Sequence, residues 1–300
     1  MDTIGKEKRN YGIDVHKPNK PKVTEAGGMA FLLSITISLL LYGLWLTIVE
    51  ILDSRFFAIL SSILIAGILG LQDHLVGIRW RNKIILSSII AIPLMIARVG
   101  HTVVDIPFFG VINLGDIYTF LLIPLAVIGL VNMVNMLAGY KGLEAGLGAI
   151  NAFWFLVISY LTGNQLIFAT SAVLLASLLA FLKFNKYPAK VFPGDVGTFT
   201  IGATLASIAI IGNMEKFALG LFSLYWINFL LFIYWLKFTN KPFKKFASVD
   251  KNGYIKPPNP YTVYWISPYY LRLKEKMTVK ILLFLQFLIG IFSFLFFVKL

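Results

Sequence analysis

The sequence predicts an all-α polytopic membrane protein, and its composition, its long apolar runs and the placement of its charges support this class. Of its 300 residues, 58% are hydrophobic and the mean hydropathy is +0.80, above the apolar share of a typical soluble domain. A transmembrane helix needs about 20 mostly apolar residues, and several runs approach that length. Nine transmembrane helices are expected, at 28–49, 57–72, 84–98, 117–138, 143–161, 166–182, 198–212, 217–238 and 279–298.

The segments between these spans complete a single membrane-embedded domain over residues 1–300. Residues 1–27 are polar and basic without an apolar core, so we expect a cytosolic N-terminal segment and no signal peptide. The stretch 102–112 is too short and too rich in β-branched residues to span, and it predicts a small extended element on the outer face. Residues 239–278 are basic and aromatic, and they are expected to form a long cytosolic loop.

Basic residues set the orientation, because cytoplasmic loops of membrane proteins carry an excess of Lys and Arg. With the N-terminus in the cytosol, 23 of the 27 Lys and Arg residues fall on the cytosolic side; the others are Arg55, Arg98, Lys216 and Lys299. The net charge of +13 is therefore mostly a cytosolic surface, suited to anionic headgroups or phosphorylated substrates and not to nucleic acid. The absence of cysteine excludes disulfides, zinc–thiolate sites and thiol nucleophiles.

Polar motifs converge on the same side of the membrane. The most informative is Asn132–Gly146, where two amides, a cation and a carboxylate follow a long apolar run. Polar side chains at the membrane edge cost free energy unless they have a partner, which makes them functional candidates. Three further motifs join it, at Pro21–Gly28, Gly70–Lys83 and Lys190–Thr198. This arrangement indicates a site open to the cytosol and not a path through the membrane.

The residue types indicate which ligands such a site would hold. Asp73, Asp195 and the amide oxygen of Asn135 are oxygen ligands of the kind that Mg²⁺ takes together with substrate phosphates. Phe192, beside a Pro-Gly turn, could stack on a flat base. Four cations could neutralise phosphate charge, namely Arg79, Arg81, Lys83 and Lys141. Three glycines could expose backbone N–H groups to an anion or nucleobase, namely Gly139, Gly142 and Gly146.

Simpler interpretations of these residues stay open. The basic residues of 79–83 could only anchor the topology, and Asp195 could cap the next span. Asn132 and Asn135 could form interhelical hydrogen bonds. Glu144 could do no more than favour the start of its helix. Two histidines outside the motifs are expected on surfaces, namely His16 and His101.

Taken in order, the motifs resemble the polyprenyl-phosphate N-acetylhexosamine-1-phosphate transferase superfamily, glycosyltransferase family 4. The motif Leu137-Ala-Gly…Gly-Leu-Glu-Ala-Gly146 is more similar to that of the dolichyl-phosphate GlcNAc-1-phosphate transferase branch than to that of the phospho-MurNAc-pentapeptide branch. The resemblance covers residues 15–240, approximately. It implies a fold of usually ten spans. It also implies transfer of GlcNAc-1-phosphate, or another HexNAc-1-phosphate, from a UDP-sugar to polyprenyl or dolichyl phosphate with release of UMP, the first step of lipid-linked oligosaccharide synthesis for protein N-glycosylation.

The resemblance also implies roles for the matching residues. Asp195 and Asn135 stand where the family holds pyrophosphate and Mg²⁺, which Mn²⁺ could replace. Asp73 stands at the first position of an Asp pair with a base or metal-organising role, and Lys83 at the position of a phosphate-binding lysine. These four form the implied catalytic set. The UDP-sugar would contact Glu25, Asn132, Gly139, Lys141, Gly142, Leu143, Glu144 and Phe192. The lipid phosphate would meet His74, Arg79, Arg81 and Lys83.

The chain departs from the family pattern in three places. His74 stands where the second Asp of the pair is expected, and Lys141 replaces an Asn or Asp that reads the nucleotide. The last cytosolic loop has no His-x-His or Arg-x-Arg pair, although Lys251 and Lys256 could substitute. Two alternatives therefore stay open beside an active transferase. One is a catalytically weakened member that binds UDP-sugar or lipid phosphate as a partner in a glycosylation complex, and the other is a flippase for an anionic lipid.

The expected partners and location follow from the same features. The lipid bilayer is the first partner, and the resemblance adds UDP-N-acetylhexosamine and polyprenyl or dolichyl phosphate. Nucleic acid is not expected, and the chain could form a homodimer. We expect an integral multi-pass protein of the plasma membrane, with the endoplasmic reticulum membrane as the alternative, and an active site that faces the cytosol.

Overall fold

Helices make up most of the computed structural model, which describes residues 11–17, 19–25, 27–106, 110–239 and 246–297. What the sequence predicts for residues 1–10, 18, 26, 107–109, 240–245 and 298–300 lies outside the described residues. The helices are α1 Gly27–Ile48, α2 Ser54–Val76, α3 Trp80–Ser87, α4 Ile92–Ile96, α5 Ile123–Met136, α6 Leu143–Leu161, α7 Gln165–Asn185, α8 Gly194–Ile211, α9 Glu215–Leu221, α10 Ser223–Phe238, α11 Val263–Tyr270 and α12 Glu275–Phe297.

Seven of the described helices are long and apolar enough to cross a membrane. They are α1, α2, α5 with the π-helical turn Tyr118–Leu122 before it, α6, α7, α8 and α12. The pair of α9 and α10 passes the same test as one unit although it bends by 62°, so the described helices give up to eight spans if this pair counts as one. The protein is therefore an all-α integral membrane protein with several spans, as its composition predicts.

The expected span 84–98 is not an unbroken helix, and it is not among the described helices that are long enough to cross a membrane. The stretch is divided into α3, a 3₁₀ turn at Ser88–Ala91 and α4. The hydroxyls of Ser87 and Ser88 each donate to a carbonyl three residues earlier at 2.7 Å, which competes with the helical hydrogen-bond pattern. Pro93 has no N–H to continue that pattern. These residues account for the interruption.

The helices alternate in direction, so their loops gather at two ends of the bundle. The α2–α3, α5–α6 and α7–α8 loops meet at one end, which we call the motif end. The opposite end holds a hairpin of β3 (Val103–Ile106) and β4 (Gly110–Asn113), which confirms a short extended element there. The broken stretch of α3 and α4 connects the two ends, because Gly100 packs against Tyr118 at the opposite end.

Helix α8 lies at the centre of the bundle, and every residue from 196 to 211 is buried. Two glycines let neighbouring helices approach it closely. A Cβ on Gly70 of α2 would lie 2.6 Å from the Cα of Val196, and one on Gly202 would lie 2.6 Å from the Cα of Val131 in α5. Small residues allow this kind of backbone approach between membrane helices. The end of α2 is therefore held against the start of α8, and α5 is held against the middle of α8.

A buried hydrogen-bond network attaches α12 to the interior of the bundle. Gln286 Nε2 donates to Asn151 Oδ1 at 2.7 Å and to the carbonyl of Leu221 at 2.8 Å. Asn151 Nδ2 donates in turn to the hydroxyl of Tyr225 at 3.1 Å. At the bend between α9 and α10, the N–H of Tyr225 donates to the carbonyl of Phe222 and not to that of Leu221. The Leu221 carbonyl accepts from Gln286 instead.

Two more hairpins lie beside the motif end. Strand β1 (Tyr11–Ile13) pairs antiparallel with β2 (Lys22–Thr24), and Thr24 forms a parallel bridge to Val191 before α8. Strand β5 (Ser248–Val249) pairs with β6 (Ile255–Lys256) in the long loop that precedes α11. The described part of the N-terminal segment is thus packed against the bundle.

Candidate active site

A cavity of about 540 Å³ opens at the motif end, between the β1–β2 hairpin, the α5–α6 turn and the start of α8. Eight residues that the sequence predicts for substrate, metal or phosphate binding line it: Glu25, His74, Asn135, Gly139, Lys141, Glu144, Phe192 and Asp195. His16 and Phe246, which belong to none of the motifs, line it as well. Motifs far apart in the sequence therefore converge on one chamber.

Acidic, basic and amide side chains form a linked group beside this cavity. Lys83 of α3 pairs with Asp73 near the end of α2, and its ammonium lies 3.7 Å from Asp195 Oδ1. Asn135 Nδ2 donates to the same Asp195 atom at 2.6 Å and to Thr198 Oγ1 at 3.0 Å. Four helices thus bring the four residues of the implied catalytic set together.

Local structure determines how Asp73 is held. Helix α2 ends at Gly77, whose φ of 74° lies in the left-handed region that favours glycine. This turn places the N–H of Ile78 2.9 Å from Asp73 Oδ1. The side chain of Asp73 is only 4% exposed, whereas that of Asp195 is 31% exposed and lines the cavity. Asp73 is therefore shielded and in contact with Lys83, whereas Asp195 faces the cavity.

Asp195 and Asn135 offer oxygen atoms of the kind that a divalent cation takes. Asp195 uses Oδ1 for Asn135 and Lys83, and among the described residues its Oδ2 has no such contact. The Asn135 nitrogen makes both of that side chain's hydrogen bonds, which leaves the amide oxygen for another partner. Mg²⁺ usually takes one or two protein oxygens and completes its shell with water and phosphate oxygens. The donor set therefore fits the ion that the sequence predicts.

A second group of ligand-type side chains, Asp14, His16 and Glu275, has its ligand atoms within 4.8 Å of one another. The ammonium of Lys141 already lies among them. It pairs with Asp14 and lies 3.2 Å from Glu275 Oε1 and 3.3 Å from His16 Nδ1. The side chain of Lys141 is 5% exposed. Lys141 thus neutralises carboxylates of this chain, and its ammonium is not directed to phosphate.

His16 is buried beside Lys141, so its expected surface position is wrong. The residue is 5% exposed, because the N-terminal hairpin folds back over the α5–α6 turn. Burial, and then the charge of Lys141, lower the pKa of His16 from its ordinary 6.5 to about 3, against an opposing effect of Asp14. The ring is therefore neutral near pH 7. Edge-on contacts with Tyr140 and Phe246, at 5.0 and 6.2 Å between ring centres, hold it in place.

Phe192 gives the cavity an aromatic wall. Its N–H donates to the Thr24 carbonyl at 2.8 Å, which holds this residue against the N-terminal hairpin. Gly139 also lines the cavity, and a Cβ there would lie 2.6 Å from the ring of Tyr264 in α11. An aromatic face beside a glycine turn suits a flat ring. On the same wall, Glu25 pairs with His74 at 3.6 Å.

Three predicted substrate contacts lie outside the cavity lining. Asn132, one helical turn before Asn135, donates to Ser87 Oγ at 3.0 Å and so forms an interhelical hydrogen bond, which was its simpler interpretation. Gly142 has a φ of 75° and begins α6. Leu143 is fully buried in the apolar core.

The basic residues predicted for phosphate or sugar contacts on the surface are exposed and do not line the cavity; they are Arg79, Arg81, Lys251 and Lys256. The Arg81 guanidinium lies 5.4 Å from the centre of the Trp80 ring, which is itself exposed. A Trp–Arg pair of this kind is typical of the membrane–water interface. The topology-anchor interpretation of these arginines therefore remains compatible with their placement.

Four residues of this region were missed in the sequence: Asp14, His16, Thr198 and Glu275. Thr198 follows Asp195 by three residues, so helical spacing could have identified it. Glu275 is a carboxylate at the start of an apolar helix, the same signal that marks Glu144. Asp14 and His16 lie among Lys and Pro residues in a short polar segment, which gives no local signal of burial. His101 is exposed, as expected.

Comparisons with known proteins agree with the motif pattern. The sequence model of the family described as glycosyl transferase family 4 matches residues 56–213. A Saccharolobus solfataricus protein with the provisional name UDP-N-acetylglucosamine–dolichyl-phosphate N-acetylglucosaminephosphotransferase is 37% identical over 254 residues, or 83% of this chain and 76% of that protein. A Sulfolobus acidocaldarius protein of the same provisional name is 35% identical over 259 residues, with the same two shares. A Clostridium botulinum phospho-N-acetylmuramoyl-pentapeptide-transferase is 30% identical over 265 residues, or 82% of this chain and 78% of that protein.

Proposed function

The chain belongs to glycosyl transferase family 4, and we propose that it transfers GlcNAc-1-phosphate, or another HexNAc-1-phosphate, from a UDP-sugar to polyprenyl or dolichyl phosphate. UMP is the second product, and the lipid product starts an oligosaccharide for protein glycosylation. The names of the archaeal relatives support this choice of substrates. The observation that carries the proposal is the contact among Asp73, Lys83, Asn135 and Asp195 beside a cavity with an aromatic wall.

The chemistry requires positioning and charge neutralisation more than covalent help. An oxygen of the lipid phosphate attacks the β-phosphorus of the UDP-sugar. The bond from that phosphorus to the bridging oxygen breaks, and the oxygen leaves with UMP. One phosphoanhydride forms as another breaks, so no redox partner or protein nucleophile is needed. Lys83 supplies positive charge for the phosphates, and Asp73 keeps its ammonium in place.

Asp195 and Asn135 are the residues that would hold Mg²⁺, or Mn²⁺ in its place. Bound there, the ion supplies a Lewis acid that neutralises pyrophosphate charge. The 2.6 Å hydrogen bond from Asn135 orients the Asp195 carboxylate before any ligand arrives, and Thr198 secures the Asn135 amide. Such preorganisation lowers the cost of reaching the reactive geometry.

The nucleotide is proposed to lie in the cavity, with its base on Phe192 and near the Gly139 turn. We also propose that this end of the bundle faces the cytosol and that the membrane is the plasma membrane. Support comes from the charges, because the described basic residues at the opposite end are Arg55, Arg98 and Lys216, and the others lie toward the motif end.

The direct test is UMP release by the purified protein in lipid nanodiscs with UDP-GlcNAc, dolichyl phosphate and Mg²⁺. Asp195→Ala should lower the rate at least about 100-fold. Asp116→Ala is the matched control, because Asp116 is an exposed carboxylate at the opposite end. UMP that depends on lipid and metal and is lost only in Asp195→Ala supports the proposal. No UMP from any UDP-N-acetylhexosamine contradicts it.

A second candidate function is a family member that binds UDP-sugar without turnover. Two observations favour it: His74 pairs with Glu25 at 3.6 Å where the family has an Asp, and Lys141 is neutralised by Asp14 and Glu275. UMP or UDP binding without product formation, whether or not lipid phosphate and Mg²⁺ are present, would support this candidate over the enzyme.

A further inference from the structure

The imidazole of His16 offers a hydrogen-bonding atom without a partner in the cavity wall. The ring lines the cavity, is 5% exposed and is held by Tyr140 and Phe246. Its Nε2 atom has no hydrogen-bond partner among the described residues. Buried polar groups in proteins are nearly always paired. An unpaired one in a binding cavity therefore indicates a ligand atom.

The contacts of Lys141 show which ring nitrogen carries the proton. An ammonium has three protons to donate and accepts none. That of Lys141 meets three acceptors: Asp14, Glu275 at 3.2 Å and His16 Nδ1 at 3.3 Å. Nδ1 is therefore an acceptor, so a neutral ring carries its proton on Nε2. The low pKa of His16 agrees with a neutral ring. The unpartnered Nε2 atom of this cavity-lining ring is thus an N–H donor.

A complementary acceptor lines the same cavity. Glu144 is buried, and its Oε2 atom has no hydrogen-bond partner among the residues that the structure describes. A planar imide carries a ring N–H flanked by carbonyl oxygens, so it needs one acceptor and one donor on the protein. Phe192 supplies an aromatic face for the same ring. The three side chains together offer a donor, an acceptor and an aromatic face, the kinds of group that bind a uracil ring.

We propose that His16 reads the nucleobase: its Nε2–H donates to a uracil carbonyl of the UDP-sugar, and Glu144 accepts the ring N–H. This inference rests on the proposed function, and it gives the N-terminal hairpin a part in substrate specificity. Cytosine has no proton on N3, so Glu144 would face another acceptor and a CDP-sugar would be rejected. Lys141 is a positioning residue, because it occupies Nδ1 and so directs the ring proton to Nε2.

Two substitutions distinguish loss of the Nε2–H donor from damage to the fold. His16→Asn keeps an acceptor near the position of Nδ1 for Lys141 but does not reach the position of Nε2, whereas His16→Gln reaches it with an amide N–H. UMP binding to the full chain, measured by calorimetry, should weaken about 10-fold in His16→Asn, the value of one hydrogen bond. It should stay within about 3-fold in His16→Gln. His101→Asn, an exposed histidine toward the opposite end, should not change it.

Two analogues of UMP locate the contact. One has sulfur, a weak acceptor, in place of the 4-oxygen, and the other has sulfur in place of the 2-oxygen; both keep the N3 proton that Glu144 would accept. His16→Asn should weaken UMP binding but change the binding of one analogue much less, because the wild-type chain gains little from His16 when the bonded carbonyl oxygen is replaced by sulfur.

Either of two results would overturn the inference: UMP affinity that is unchanged in His16→Asn, or an equal loss of UMP and both analogues, which would indicate a general structural effect. If the wild-type chain does not bind UMP at all, the proposed function itself fails, and the inference that rests on it fails for that separate reason. Loss of UMP affinity in His16→Asn with one analogue spared supports it.

Discussion

Glu275 holds Lys141 at two points: its Oε1 accepts the Lys141 backbone N–H at 2.8 Å and lies 3.2 Å from the ammonium. Glu275 begins α12, Lys141 lies in the α5–α6 turn, and Asp14 of the N-terminal segment pairs with the same ammonium. Because all three side chains are buried, this pairing ties together three segments that are distant in the sequence.

Removal of the Lys141 charge should therefore destabilise the fold. Lys141→Met leaves the buried Glu275 without its counter-charge and leaves Asp14 with Lys17 alone, at 3.3 Å; breaking a buried pair in this way typically costs about 3–5 kcal/mol. The melting temperature, followed by tryptophan fluorescence of the purified protein, should fall clearly below that of the wild type. Lys251→Met is the control, because Lys251 is exposed and should stay within about 0.5 kcal/mol. Equal melting temperatures for Lys141→Met and the wild type would show that the pairing of Lys141 with Asp14 and Glu275 does not stabilise the fold.

Asp73 and Asp195 both carry a carboxylate, but their substitution by Asn should have different effects on metal binding and turnover. Asp195 lines the cavity, so Asp195→Asn should weaken Mn²⁺ binding at least about 10-fold. Asp73→Asn should leave Mn²⁺ binding nearly unchanged but lower turnover about 100-fold, because it releases Lys83. Electron paramagnetic resonance of Mn²⁺ measures binding without turnover. A comparable loss of Mn²⁺ affinity in both variants would mean that Asp73 is itself a ligand.

Sequence order predicts the membrane class and most of the convergence at the site, because each motif stands where an apolar run meets a polar loop. Asp73, Asn135 and Asp195 are assigned to one membrane face by the alternation of spans alone. Their mutual contacts, such as Asn135 to Asp195 at 2.6 Å, depend on the close approach of α2 and α5 to α8, which single apolar runs do not encode. The sequence therefore predicts the fold class and the location of the site, but it does not predict the distances between the side chains of the site.

The surroundings of Asn132 and His16 depend on tertiary contacts that the sequence does not reveal. Asn132 and Asn135 are three residues apart, so they share a helix face, but Asn132 lies about one turn deeper and meets Ser87 there. His16 lies in a short polar segment whose composition favours solvent. Its burial results from a hairpin that folds back onto Lys141 and Tyr140, a tertiary contact across more than 100 residues of chain.

His16 should also give the fold a defined pH dependence. In the folded chain its pKa is about 3, whereas it titrates near 6.5 when unfolded. Between these values the unfolded state binds the extra proton, so the free energy of unfolding falls as the pH drops from 6.5 toward 3, by about 1.4 kcal/mol per pH unit at most. Above that window His16 contributes no further change. Melting temperatures of the wild type and His16→Asn between pH 8 and pH 4 test this.

The expected result is that the wild type loses more stability on acidification than His16→Asn does, because the variant has no imidazole to protonate. The carboxylates titrate in both proteins, so their effects on stability cancel in the comparison. Parallel melting curves across this range would show that His16 is protonated at little cost, and hence that its burial beside Lys141 is looser than the structure indicates.

Gly70 should control turnover without touching the substrate. A Cβ at this position would lie 2.6 Å from the Cα of Val196 and from the carbonyl oxygen of Asp195, and backbone atoms cannot rotate away. Gly70→Ala must therefore push α2 from α8, which separates the Asp73–Lys83 pair from Asp195. A displacement of about 1 Å can cost about 100-fold in rate. We expect turnover to fall by about 10- to 100-fold, while UMP binding, which uses other elements of the cavity, changes by less than about 3-fold.

The control for this variant is Gly129→Ala in α5, where the new Cβ would make an ordinary 3.4 Å contact with Met133 Cε, so its turnover should match the wild type. Full turnover in Gly70→Ala would show that the Lys83–Asp195 distance tolerates a wider helix spacing. A parallel loss of UMP binding and turnover would show that the substitution unfolds the motif end as a whole. Loss of turnover alone is the result that follows if the packing of α2 against α8 sets the geometry of the reacting groups.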